Sequence, residues 1–183
     1  MLLLGSSPTG RNIEQHDIFF GIANNVKELI PDMKAFWPVE KLHVDAWRVV
    51  TVVNSFAVHV VSVQEPVNNP VQLFFINLGG YKQNEFEEFH YKMIVAAADK
   101  GAAIQLAKQT AFYKHTGFKG APSHVDDKYG VDVDDVYAIQ DILPDSVKAR
   151  YSLLIQAVQG KLQEDEIHLG YFKLDAIDMW DVH

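Results

Sequence analysis

The chain contains no cysteine, which removes disulfides, a thiolate nucleophile and cysteine-ligated zinc or iron–sulfur centres from consideration. The cytoplasm is therefore the expected compartment. No apolar run approaches the ~20 residues that cross a bilayer. The opening Met1-Leu2-Leu3-Leu4 is too short for the core of a signal peptide and has no basic residue ahead of it, so a soluble protein is expected. Positive charge is also scarce: 16 basic against 24 acidic residues give a formal net charge of -8, and no long segment is basic. That field repels duplex nucleic acid and anionic membranes on average, so neither is an expected partner. What is present suits a folded domain. A hydrophobic share of 48% is ordinary for a globular protein, and 183 residues can bury one good core or two small units sharing an interface.

The run Leu73-Phe74-Phe75-Ile76-Asn77-Leu78-Gly79-Gly80-Tyr81 reads as a buried strand that stops at a glycine pair. Its apolar-then-Leu-Gly pattern also opens the chain at Leu2-Leu3-Leu4-Gly5 and returns at Ile167-His168-Leu169-Gly170-Tyr171. Around the first string, strands are expected over residues 1–5, 16–23, 42–53 and 56–63, the last after an Asn54-Ser55 turn. Asn25 and Glu28 have the spacing of a reciprocal helix cap, and Val26, Leu29, Ile30, Met33, Phe36 and Trp37 form a helical stripe in which Pro31 should give either a kink or a loose first turn. After the second string the order returns: a strand over 90–98, a helix from Asp99 to about Tyr113, a long loop, then strands near 131–139 and 151–158. Aligning Leu4-Gly5 with Leu78-Gly79 places Glu14 on Glu88, His16 on His90, Ile30 on Ile104 and Lys34 on Lys108 without a gap, and with extra loop residues His43-Val44-Asp45 falls on His124-Val125-Asp126. Agreement at polar as well as apolar positions points to duplication rather than shared composition. The expected fold is α+β, an internal duplication of a β-β-α-β-β unit with mostly antiparallel sheets and one helix per unit. The first copy would span residues 1–71 and the second 72–160, with its longer loop at 113–130. A C-terminal Leu-Gly strand and tail fill 161–183. An exposed sheet edge on either unit would favour a homodimer.

The strings Leu73 to Tyr81, Glu85-Phe86-Glu87-Glu88-Phe89-His90, Ala111 to Gly120 and His124 to Asp135 together resemble the bacterial domain-of-unknown-function family 1543. In that family the domain occurs in one or two copies per chain, and the present sequence looks like the two-copy form over most of its length. The resemblance implies a cytoplasmic bacterial protein with a duplicated domain. It brings no activity and no assigned site residues.

The sharpest set of chemistry-bearing residues is Glu14, His16, His43 and Asp45, with Glu88, His90, His124 and Asp126 as its second copy. Residues two apart in a strand share a face, so Glu-x-His and His-x-Asp each present two ligands on one side. Two imidazoles and two carboxylates suit zinc, manganese or iron. The plain alternative is a core histidine bonded to a carboxylate, because His16 alternates with Ile18, Phe20 and Ile22. A second candidate is the loop that gathers Lys114, His115, Lys119, His124 and Tyr129, where cations, hydroxyls and glycines could bind a small anionic ligand or a protein partner. A solvated connection explains the same residues. Asp132, Asp134 and Asp135 lack the glycine and terminal glutamate of a calcium loop, and read as an acidic strand edge. Ser123, His124 and Asp126 are too close in sequence to form a triad. The expected function is binding or interaction without catalysis. A metal-assisted hydrolase using the histidine and carboxylate clusters is the alternative, and composition names no cofactor.

Overall fold

The computed structural model describes residues 1–81, 84–115, 132–160 and 162–179, with the backbone alone described at Tyr81, 111–115, Asp132 and 177–179. Strand β1 (Leu2–Ser6) is followed by β2 (Gln15–Phe19). A short 3-10 turn (Val26–Leu29) then runs into α1 (Ile30–Phe36). Asn25 caps that turn as its spacing predicts: Glu28 N donates to Asn25 Oδ1 at 3.2 Å and Asn25 Nδ2 to Glu28 Oε1 at 2.9 Å. Of the two outcomes expected at Pro31 the structure has the loose first turn, a 3-10 turn leading into the helix, and not the kink. Pro31 occupies the first turn of α1, where its missing N–H has no helical partner to lose.

The stretch expected as one strand over 42–53 is two, β3 (His43–Trp47) and β4 (Val52–Val53), followed by β5 (Phe56–Ser62). The break has a physical cause in the acidic turn near the C-terminus. Asp165 accepts from Thr51 N at 2.8 Å, from Val52 N at 3.0 Å and from the Thr51 hydroxyl, drawing the backbone out of the ladder. Asn54 makes the β4–β5 turn at φ 56°, a left-handed position that asparagine tolerates better than most residues.

Strands β6 (Gln72–Tyr81) and β7 (Glu88–Ala97), helix α2 (Lys100–His115) and β8 (Asp132–Ala138) follow. The one helix expected in this half has two short companions, α3 (Ile139–Ile142) and α4 (Asp145–Lys148), placed before β9 (Tyr151–Ala157). They bury Ile139, Leu143 and Val147, and are too short for their apolar spacing to separate from a strand's. Strand β10 (His168–Lys173) and a 3-10 segment (Leu174–Met179) end the described chain.

The sheets run β10-β3-β1-β2, β4-β5-β9 and β7-β6-β8, with every pairing antiparallel. Leu2, Leu4 and Val44 on one face of the first sheet pack with Leu29 and Met33 of the helical layer. Phe74, Ile76 and Leu78 pack in the same way with Ala103 and Ala107 of α2. The remaining core joins the halves: Ile18, Phe20, Val53 and Val58 pack with Leu73, Phe75, Ile94 and Ile155. The middle sheet also crosses between halves, because β5 pairs with β9 along its whole length. The third Leu-Gly strand, β10, adds to the first sheet beside β3.

The two outer sheets share their register residue by residue. Gly5 lies opposite His16 on one side and His43 on the other; Gly79 lies opposite His90 and Asp132. Both ladders slip at the same place, between Leu3 and Leu4 and between Asn77 and Leu78. The extra residue in the first is Asp45, lying between Val44 and Ala46; in the second it is Asp134, between Val133 and Asp135. The strand position held by His43-Val44-Asp45 is thus held in the second sheet by Asp132-Val133-Asp134, not by the matching string His124-Val125-Asp126.

Candidate functional site

A β-bulge twists its strand and re-aims the extra side chain, and here it turns Asp45 over Gly5. A Cβ at Gly5 would overlap Asp45 Oδ2 and His43 Nε2, so the glycine is required by the approach of these two groups. His16 reaches the same spot from β2 and Glu14 from just ahead of it. His16 Nε2 stands 3.1 Å from Asp45 Oδ2 and 3.6 Å from Glu14 Oε2, while His43 Nε2 stands 3.2 Å from Glu14 Oε1 and 3.3 Å from Asp45 Oδ1. The four residues form a ring in which each carboxylate faces both imidazoles, and the donors of Glu14, His16 and Asp45 lie within 4.8 Å of one another.

His43 is the unusual member. Its side chain is 3% exposed, against 38% for His16 and Glu14. The ring is backed by a backbone carbonyl, with Nδ1 3.1 Å from Lys41 O, and that carbonyl belongs to a residue in the left-handed region at φ 59°. Because Lys41 O can only accept, Nδ1 carries the proton of this contact and Nε2 is the nitrogen turned toward the carboxylates. Despite the two short distances, His43 Nε2 and Asp45 Oδ2 are buried without an aligned hydrogen bond. A lone pair facing carboxylate oxygens in a buried place is repulsive unless a proton or a metal cation lies between them. Tyr171 of β10 covers the other side, its ring centroid 4.2 Å from that of His43.

The second cluster is more open. Glu88, His90 and Asp134 have donors within 4.8 Å of one another, and His90 Nε2 is 3.4 Å from Asp134 Oδ2. A Cβ at Gly79 would meet Asp134 Oδ2 at 2.5 Å, the counterpart of the close approach at Gly5. Further along β8, Tyr137 donates to Asp135 at 3.1 Å, which raises the phenol's pKa above its ordinary value. Burial lowers the pKa of the Lys92 ammonium, and Asp17 partly offsets this.

The structure therefore brings together Glu14, His16, His43 and Asp45, and separately Glu88 and His90. Lys119, His124, Asp126 and Tyr129 lie outside the described residues, and Lys114 and His115 are described only as backbone at the end of α2. Sequence reasoning missed Asp134 and Tyr171. The first had a signal, since Asp132-Val133-Asp134 repeats the polar-Val-Asp spacing of His43-Val44-Asp45. Tyr171 had none, because it reaches His43 through the pairing of β10 with β3, strands far apart in sequence.

Fold and cluster define the class: an α+β protein of mostly antiparallel sheets that carries histidine and carboxylate side chains on a bulged strand. Residues 11–60 match the family model described as Domain of Unknown Function (DUF1543), the family the sequence strings resemble, and all four residues of the first cluster fall inside that match. No curated protein matches the sequence. Among solved structures the chain is similar to a protein Il1583 from Idiomarina loihiensis, at 22% identity and a TM-score of 0.59 over 94% of each chain. That likeness concerns the fold.

Proposed function

We propose that the chain is a metal-binding protein whose first cluster holds one divalent transition-metal ion. The buried Nε2 of His43, without an aligned hydrogen bond and aimed between two carboxylates, carries the reading. Two neutral imidazoles and two carboxylates sum to a charge of about -2, which a divalent cation neutralises, and this mixed donor set suits zinc, manganese or iron(II). The carbonyl behind Nδ1 is the outer support that orients a ligating histidine. The open cluster at Glu88, His90 and Asp134 is a weaker second site in the same reading. Shared register and coincident bulges support descent of the two outer sheets from one duplicated unit, the two-copy form of the family. A cytoplasmic bacterial location belongs to the same proposal, bacterial origin being supported by the family resemblance and the cytoplasm by that resemblance and the lack of cysteine. The residues Lys114, His115, Lys119, His124 and Tyr129, four nitrogen bases and a phenol, remain a separate candidate for a small anionic ligand, supported by sequence alone.

The test is elemental analysis of protein purified without an affinity tag, with melting curves before and after chelation. About one transition ion per chain and a lower melting midpoint in chelator are expected, both lost in H16A/H43A. No metal, no uptake from added zinc or manganese and an unmoved midpoint would sink the proposal. Exposure of Glu14 and His16 favours a second reading, metal-assisted hydrolysis, because it leaves a solvent-facing position for an activated water. A metal-dependent turnover of p-nitrophenyl esters or phosphates that H43A abolishes would support it.

A further inference from the structure

A cleft of about 650 Å³ lies between the first sheet and the edge of β7, within the range of small-molecule sites. Its apolar walls include Leu3 and Ala46 on one side and Met93 and Leu106 on the other. Leu106 of α2 is 39% exposed, an apolar side chain left partly in water. Arg48, Lys92 and His90 also line this space, with the exposed Glu164 as the carboxylate of the lining. Arg48 is held at its base: its backbone N donates to Met1 O at 3.0 Å and its carbonyl accepts from Met1 N at 3.1 Å. Among the described residues its guanidinium has no carboxylate partner within ion-pair distance. A partly buried guanidinium without a counter-ion beside apolar walls is an arrangement that a bound anion with a hydrophobic body completes.

We propose that this cleft binds an organic anion, its apolar body between Leu3, Ala46, Met93 and Leu106 and its carboxylate, sulfonate or phosphate head on Arg48 and Lys92. The residues named for this site do not include those of the basic stretch after α2, and the proposal does not depend on metal. Charge complementarity selects an anion over a neutral amphiphile, because Arg48 has five donors to satisfy and stays charged. His90 lines the same space, so an anion held there lies beside the second histidine and carboxylate cluster.

The experiment uses full-length, chelator-treated protein, so its outcome is independent of the metal reading. Titration with 8-anilinonaphthalene-1-sulfonate should give one saturable site per chain by fluorescence. Decanoate should displace the probe and decanol should not. Arg48→Met should weaken binding at least tenfold with near-UV circular dichroism and melting midpoint retained, and Arg48→Lys should recover part of the loss. If Arg48→Met proves unfolded, Lys92→Met takes its place with the same expected direction. Binding that is absent, indifferent to these substitutions or equally displaced by decanol would overturn the proposal.

Discussion

At the scale of single residues, His43 is a costly choice unless something binds it. A buried polar atom without an aligned hydrogen bond costs a fold roughly 1–3 kcal/mol, and its Nε2 faces Glu14 and Asp45 without one. His43→Leu keeps a similar volume, removes that atom and gives up the bond to Lys41. The variant should therefore be as stable as the parent or slightly more stable when both are free of metal, while losing metal binding entirely. Urea unfolding and elemental analysis, run side by side, check this. A loss of more than about 2 kcal/mol would identify His43 as a structural residue, since losses of that size come from the breakdown of packing or a buried bond network. Gly5→Ala probes the same site from the other side. The added methyl meets Asp45 and His43, so metal affinity should fall about 10–100-fold, the scale seen when support around ligands is disturbed. Competition with a chromophoric chelator measures that fall.

At the scale of elements, local rules decide caps and turns, and they can be tested one at a time. Asn25→Ala removes the reciprocal cap with Glu28 and should cost about 1 kcal/mol, with metal content unchanged. The Lys148 ammonium, 2.8 Å from Asp145 at the start of α4, bonds its carboxylate and lowers its pKa below the usual 3.8. A depressed carboxylate contributes stability above its unfolded pKa and loses it as pH falls through the folded value. Asp145→Asn should therefore lower the melting midpoint slightly at pH 7 and not at all near pH 2. The cap, the Asn54 turn, β5, β6, β9 and α2 were all legible because their signals lie within a few residues. The β3–β4 break was not, because Asp165, far along the chain, causes it. Glu14, His16, His43 and Asp45 could be picked out by period-2 spacing alone. Asp134 was not picked out, because the string His124-Val125-Asp126 matches His43-Val44-Asp45 more closely than Asp132-Val133-Asp134 does, while the strand pairing selects the latter.

At the scale of the molecule, neither half has what it needs to stand alone. The ladder of β5 is completed by β9, and the joining core takes Ile18, Phe20 and Val58 from one half and Phe75, Ile94 and Ile155 from the other. Phe20 and Phe75 meet across it with ring centroids 5.6 Å apart. The chain should consequently unfold as one unit despite its two similar outer sheets. Ile155→Ala is the decisive substitution, since Ile155 is 3% exposed on the strand that binds the halves together. Deleting a buried isoleucine to alanine costs about 2–5 kcal/mol. In a cooperative molecule that loss moves the whole urea transition to lower concentration, with tryptophan fluorescence and far-UV circular dichroism still coincident. If the halves were independent, circular dichroism would instead split into two steps, one of them unmoved by the substitution. The same cooperativity couples the first cluster to the distant β9: a metal that binds only the folded state stabilises by about 2.7 kcal/mol at a hundred times its dissociation constant. Metal at that level should accordingly restore most of the stability lost in Ile155→Ala, measured as the shift of its urea midpoint, whereas a metal tied to an independently folding half would leave the unfolding of the second half unchanged.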